Sequence, residues 1–303
     1  MLMTTSCFYK EKQDTSQLTT SESTAFFVSI PIVKFSSTQA PCISVQIEDN
    51  TFLMELDLGL RGDLSITSSF INQISSKTFI STVPMYGFNG KEHLTHLYRI
   101  PKVKIGGMIL IEPILQENSY QSRQESVITQ NGNPPSPREP GRIGWELFHN
   151  VNLLLDIQNS RIAFCDSIET LKNHGYQIES FIKAPLLIER GLVELEAKTP
   201  IDLLRCVLDT GSTYNILNTE IEEAKSIEEV IWAPSNSLEY SSFKINETEF
   251  GPIIFHRIPI KLPIQIDAIL GMEFFENHLV FLDFSKKQVY FRKEIKKAKK
   301  QNS

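Results

Sequence analysis

Leu203-Leu204-Arg205-Cys206-Val207-Leu208-Asp209-Thr210-Gly211-Ser212-Thr213-Tyr214-Asn215-Ile216-Leu217 is the stretch on which the fold turns. An apolar run, Leu203 to Leu208, delivers a carboxylate to its end at Asp209. Gly211 permits a tight backbone turn, and Ile216-Leu217 carries the chain back into apolar surroundings. Thr210 and Ser212 set two hydroxyls, each able to donate and accept, beside that carboxylate.

Working outward, the chain repeats itself. Phe52, Met54 and Leu56 align with Leu204, Cys206 and Leu208, and Asp57-Leu58-Gly59-Leu60 then falls on Asp209-Thr210-Gly211-Ser212. Further on, Ile143-Gly144-Trp145-Glu146-Leu147-Phe148 aligns with Leu270-Gly271-Met272-Glu273-Phe274-Phe275, and the register runs on through Leu155-Asp156-Ile157 over Leu282-Asp283-Phe284. Two halves descended from one unit explain the match. The first half carries about 25 additional residues, a surplus that falls in the Gln-, Ser-, Asn- and Pro-rich stretch ending near Arg142 and reads as a loop.

Asp209-Thr210-Gly211-Ser212 between apolar runs, followed by Ala268-Ile269-Leu270-Gly271, resembles the active-site loop and the apolar-apolar-Gly motif of the retropepsin-like aspartic peptidases. The likeness covers the second half well and the first half more weakly. It implies a mainly β, bilobal acid-protease fold made of two tandem retropepsin-like lobes with a cleft between them. By the same resemblance Asp57 and Asp209 are the catalytic pair, and Thr210, Gly211, Ser212, Gly59, Gly271 and Gly144 support their loops. Tyr86, Gly87, Phe88 and Gly90 look like the tip of a flap hairpin. Ala233-Pro234-Ser235-Asn236-Ser237 sits at the matching place in the second half without a glycine.

The implied activity is endopeptidase hydrolysis, in which two close carboxylates share one proton and activate a water. In the family the residue after each Asp ties the two loops together, and Leu58 cannot do so. Leu60 likewise lacks the hydroxyl that Ser212 offers its Asp, so Asp209 is expected to stay ionised and Asp57 to hold the proton. Two alternatives stand beside this reading: a catalytically inactive peptide- or protein-binding module, and an inter-chain Asp209/Asp209 homodimeric protease.

The expected organisation is a polar N-terminus over 1–23, a first lobe over 24–168 with a flexible insert over 117–142, a second lobe over 183–292, and a basic tail over 293–303. A hydrophobic content of 41% suffices for two cores, and a net charge of −6 offers no basic face for nucleic acid. The 4 cysteines show no CxxC spacing and no disulfide framework. No apolar run is long enough for a membrane span, and the start lacks the apolar core of a signal peptide, so a cytoplasmic monomer acting on a peptide or protein substrate is expected, with a homodimer as the other arrangement. No cofactor and no metal are expected. His93 and His96 read as exposed strand residues, and Gly106-Gly107 as a hairpin turn.

Overall fold

The structure, a computed structural model, describes residues 26–36, 39–86, 92–118, 141–219, 231–232, 237–262 and 264–293. Its strands form two 10-stranded sheets and one 6-stranded sheet. The protein is mainly β and two-lobed.

The two larger sheets are copies of one plan. In the first, the order runs Thr78–Tyr86, Glu92–Arg99, Ile114–Asn118, Leu64–Thr67, Gly141–Gly144, Asn50–Asp57, Pro41–Ile47, Lys102–Ile105, Met108–Ile111. In the second it runs Ile231–Trp232, Ser237–Tyr240, Ile253–Ile258, Ile216–Asn218, Ala268–Leu270, Leu203–Leu208, Leu192–Lys198, Lys244–Ile245, Thr248–Glu249. Each position in one order matches the element of the same rank in the other half. The duplication read from sequence is therefore a duplication of topology.

Both Asp-bearing strands pair in parallel with a short strand that arrives much later in the chain. Gly141–Gly144 sets Ile143 against Leu56 and Gly144 against Asp57, and Ala268–Leu270 sets Leu270 against Leu208. Glu117-Asn118 and Gly141-Arg142, read with the insert, are strand residues, because both segments are paired with the Leu64–Thr67 strand. Residues 119–140 lie outside the described residues.

The third sheet joins the halves. Its order is Phe27–Pro31, Arg161–Cys165, Asn152–Asp156, His278–Asp283, Gln288–Lys293, Ile182–Pro185, with the seam at Leu153–Leu282, Leu154–Phe281 and Leu155–Val280. Period-two alternation explains how it serves two cores. Leu153, Leu155, Phe164, Val280, Leu282 and Phe291 face the main core, which runs through both lobes. Leu154, Ala163, Cys165, Leu279 and Phe281 face the other way, against Ile168 and Leu171 of the helix Ile168–Asn173. That helix starts where Ser167 Oγ accepts the Thr170 amide at 3.2 Å.

Cys42, Cys165 and Cys206 are buried and not joined in disulfides. Gly106, at φ +57°, turns the hairpin between Lys102–Ile105 and Met108–Ile111, as its sequence suggests. Among the described residues no helix is long and apolar enough to cross a membrane.

Candidate active site

Each Asp sits at the end of a buried strand and is followed by a turn that closes on it. Leu60 N donates to Asp57 O at 3.1 Å, and Ser212 N to Asp209 O at 3.2 Å. The downstream glycines press against these turns. A Cβ on Gly144 would stand 2.0 Å from Gly62 O, and one on Gly271 would stand 2.2 Å from Tyr214 O. No side chain fits there, so the apolar-apolar-Gly motif is a requirement of close backbone approach. Asn215, just after the second turn, fastens the arrangement: its Oδ1 accepts the Gly271 amide at 3.1 Å, and its Nδ2 donates to Ile254 O at 3.2 Å.

The two turns meet across the lobes. A Cβ on Gly59 would lie 2.5 Å from the Asp209 carboxyl carbon, and one on Gly211 would lie 2.5 Å from that of Asp57. Each carboxyl is thus seated on the other lobe's glycine, and the two carboxyls hydrogen-bond to each other. Asp57 is 4% exposed and Asp209 6%, so little of either residue meets solvent.

The cross-lobe tie is half built. Thr210 Oγ1 donates to Leu56 O at 2.7 Å and accepts Leu58 N at 3.1 Å, reaching from the second turn into the first. Leu58 returns nothing, since its apolar side chain is wholly buried in the core. Ser212 departs from its expected role: its hydroxyl donates to Tyr214 O at 2.8 Å, within its own turn, rather than to Asp209. What Asp209 receives from that loop is the Gly211 amide, at 2.8 Å from Oδ1.

The largest departure from the sequence reading is Arg142. Its Nη1 stands 3.1 Å from Asp57 Oδ2, and its Nε stands 3.2 Å from Glu55 Oε2. Burial pulls the guanidinium pKa down, but the charges of Asp57, Glu55 and Asp209 outweigh it and hold the group above its ordinary value. Burial first, then the charge of Asp57 and the hydrogen bond to it, push Asp209 up to about 8, against the weaker opposing pull of the Gly211 amide and Arg142. The rise at Asp209 runs against the expectation that this carboxyl stays ionised. It rested on counting hydroxyls in the turns; Ser212 is turned away, and a cation from a strand remote in sequence but paired with the Asp57 strand stands against Asp57.

Thr78–Tyr86 and Glu92–Arg99 pair antiparallel where the sequence suggested a flap, with Tyr86 opposite Glu92 and its hydroxyl donating to Glu92 Oε2 at 2.7 Å. Gly87, Phe88 and Gly90, and in the second half residues 233–236, lie outside the described residues. His93 and His96 stand on this hairpin, His96 Nδ1 being 2.8 Å from Thr82 Oγ1. No group of three or more His, Cys, Asp or Glu side chains among the described residues is placed to hold a metal ion.

No protein-family model matches the chain, and no curated protein matches it in sequence. Solved structures do match. Conglutin gamma, described as a unique basic 7S globulin from lupine seeds, superposes with a TM-score of 0.56 at 13% identity over 89% of this chain and 96% of that one. Basic 7S globulin from soybean superposes with a TM-score of 0.53 at 12% identity, covering 89% and 95%. At such identities the likeness establishes the fold, the pepsin-like bilobal one, and nothing about chemistry.

Proposed function

We propose that the protein is an aspartic endopeptidase whose attacking water is activated between Asp57 and Asp209. The observation that carries this is the hydrogen-bonded, nearly buried carboxyl pair, with Asp209 raised to about 8. Two carboxyls so placed cannot both ionise cheaply, and one shared proton is the state that hydrolysis requires. In that state the ionised carboxylate takes a proton from water while the protonated one hydrogen-bonds the scissile carbonyl. The water oxygen bonds to the carbonyl carbon, and the tetrahedral intermediate collapses with a proton delivered to the departing amine. The reaction consumes one water and leaves the carboxyl pair as it began.

A second reading, a peptide- or protein-binding module without chemistry, is favoured by the Arg142–Asp57 ion pair and by the half-built tie at Leu58. A carboxylate held by a guanidinium is a weaker base, and a single tie leaves alignment less constrained. An Asp209/Asp209 site between chains is disfavoured, because it would first require separating Asp209 from Asp57.

Incubating the full chain with an unfolded protein across pH 4 to 8, with fragments read by mass spectrometry, separates the readings. Cleavage blocked by a statine-type transition-state mimic, and lost in both Asp57→Asn and Asp209→Asn, is the expected result. Binding of the mimic with no cleavage at any pH would favour the binding module.

A further inference from the structure

Besides the turn residues Leu58 and Leu60, the two halves differ on one face beside the carboxyl pair. Parallel pairing sets Arg142 opposite Glu55, so both side chains lie on the same side of the sheet as Asp57, two residues further along. In the other half the corresponding pair is Ile269 opposite Val207. Those two are buried with Leu192, Ile260 and Ile266 in a small apolar cluster. One half-site is thus floored by hydrocarbon, and the other by a Glu-Arg pair aimed at the catalytic carboxyl.

We infer that Arg142 is a positioning residue that pins the negative charge of the pair on Asp57 and leaves the proton on Asp209, giving the two half-sites fixed and unequal roles. The geometry is one-sided. The guanidinium donates to Asp57 Oδ2, and no direct bond from it to Asp209 is formed. Glu55, itself buried, takes the Nε hydrogen and so fixes which edge of the fork Asp57 meets. A charge-assisted bond of this kind stabilises the ionised acceptor more than a protonated one. The charged groups that face Asp57 are Asp209 from the opposing turn and Arg142 from the parallel strand, with Glu55 behind Arg142; Gly59 and Gly211 present only backbone. The Asp209 carboxyl, with the Gly211 amide on one oxygen and Asp57 beside it, is left as the proton holder. Asp57 is then the base that takes the water's proton, and Asp209 the acid that polarises the carbonyl. Arg142 keeps 32% of its side-chain surface exposed, so it sits at the edge of the pair rather than sealed beneath it.

The assignment of base and acid rests on the peptidase reading, whereas the location of the charge does not, and the test separates them. In the full chain with carbon-13-labelled aspartate carboxyls, Asp57 is expected to be ionised at pH 6 while Asp209 is still protonated. Asp209 ionising first would overturn the inference, whatever the protein does with peptides. Arg142→Gln should abolish this order and, where cleavage is observed, move the acid limb of the pH–rate profile upward by about one to three pH units, the usual effect of a neighbouring guanidinium on a carboxylate. Arg142→Lys, which restores the charge, should bring the limb most of the way back. An acid limb unmoved in a folded Arg142→Gln protein would also overturn it. If Arg142→Gln does not fold, the wild-type titration order alone decides. Absence of cleavage with the expected titration order would count against the peptidase and leave the role of Arg142 standing.

Discussion

Thr210→Val tests the strut that holds the two turns together. The Thr210 side chain is wholly buried, and its one hydroxyl serves the Leu56 carbonyl at 2.7 Å and the Leu58 amide at 3.1 Å. Valine keeps the shape and removes the oxygen, so both backbone groups lose their partner where water cannot replace it. Stranding a buried polar group costs about 1–3 kcal/mol, which puts the loss at about 2–6 kcal/mol for the pair. With a urea dependence of about 3 kcal/mol/M for a protein of this size, the unfolding midpoint should fall by about 0.7–2 M without a change of slope. Thr210→Ser keeps the hydroxyl and should stay within about 1 kcal/mol of the parent. If Thr210→Val unfolds within about 0.5 kcal/mol of wild type, or Thr210→Ser falls as far as Thr210→Val, the tie does not bear the load assigned to it.

Stability should also depend on Asp209 through pH. Its carboxyl is raised in the folded state from 3.8 to about 8, so the folded protein binds this proton more tightly than the unfolded chain does. The resulting stability is fully present below about pH 4 and is lost as pH rises towards 8; urea midpoints should fall across that window, and Asp209→Asn should flatten the decline. Gly59→Ala and Gly211→Ala each drive a methyl into the opposing carboxyl, with Cβ 2.5 Å from its carbon, so each should break the coupled titration of the pair as seen by carboxyl NMR. Leu58→Thr supplies the missing arm of the tie: it should lower stability by about 2 kcal/mol through lost apolar burial, yet raise the rate of peptide cleavage by about tenfold, the equivalent of ~1.4 kcal/mol. A Leu58→Thr protein that loses both stability and rate would mean that the new hydroxyl finds no partner.

The fold was legible because the signals that build it are local or repeated. Asp209-Thr210-Gly211-Ser212, the downstream Gly271 and their weaker echoes at Asp57 and Gly144 sit at ends of apolar runs, and each half confirms the register of the other. The close packing of Gly144 and Gly271 on the turns follows from the same pattern. Arg142 was hidden for a physical reason. It follows a polar loop-like stretch, and its importance arises from a parallel pairing with Asn50–Asp57 that no local periodicity announces. The only trace in the sequence is Arg142 and Glu55 standing where the other half has Ile269 and Val207, two charges replacing two aliphatics at facing positions. Ser212 misled for the opposite reason: its hydroxyl stands close in sequence to Asp209, but the turn's own Tyr214 carbonyl captures it. Asn215, three residues beyond Ser212, joins the Gly271 motif to the Asp209 turn and is visible only once that motif has been brought beside it.

The central claim is that Asp57 and Asp209 form one hydrolytic unit within one chain. Single-turnover cleavage of an unfolded protein by the full chain near pH 6, compared among wild type, Asp57→Asn and Asp209→Asn, tests it most directly. Cleavage by wild type, with a loss of at least about 100-fold in each variant, is the predicted result. Cleavage that survives Asp57→Asn, or a wild-type chain that binds the transition-state mimic and cuts nothing, would contradict it.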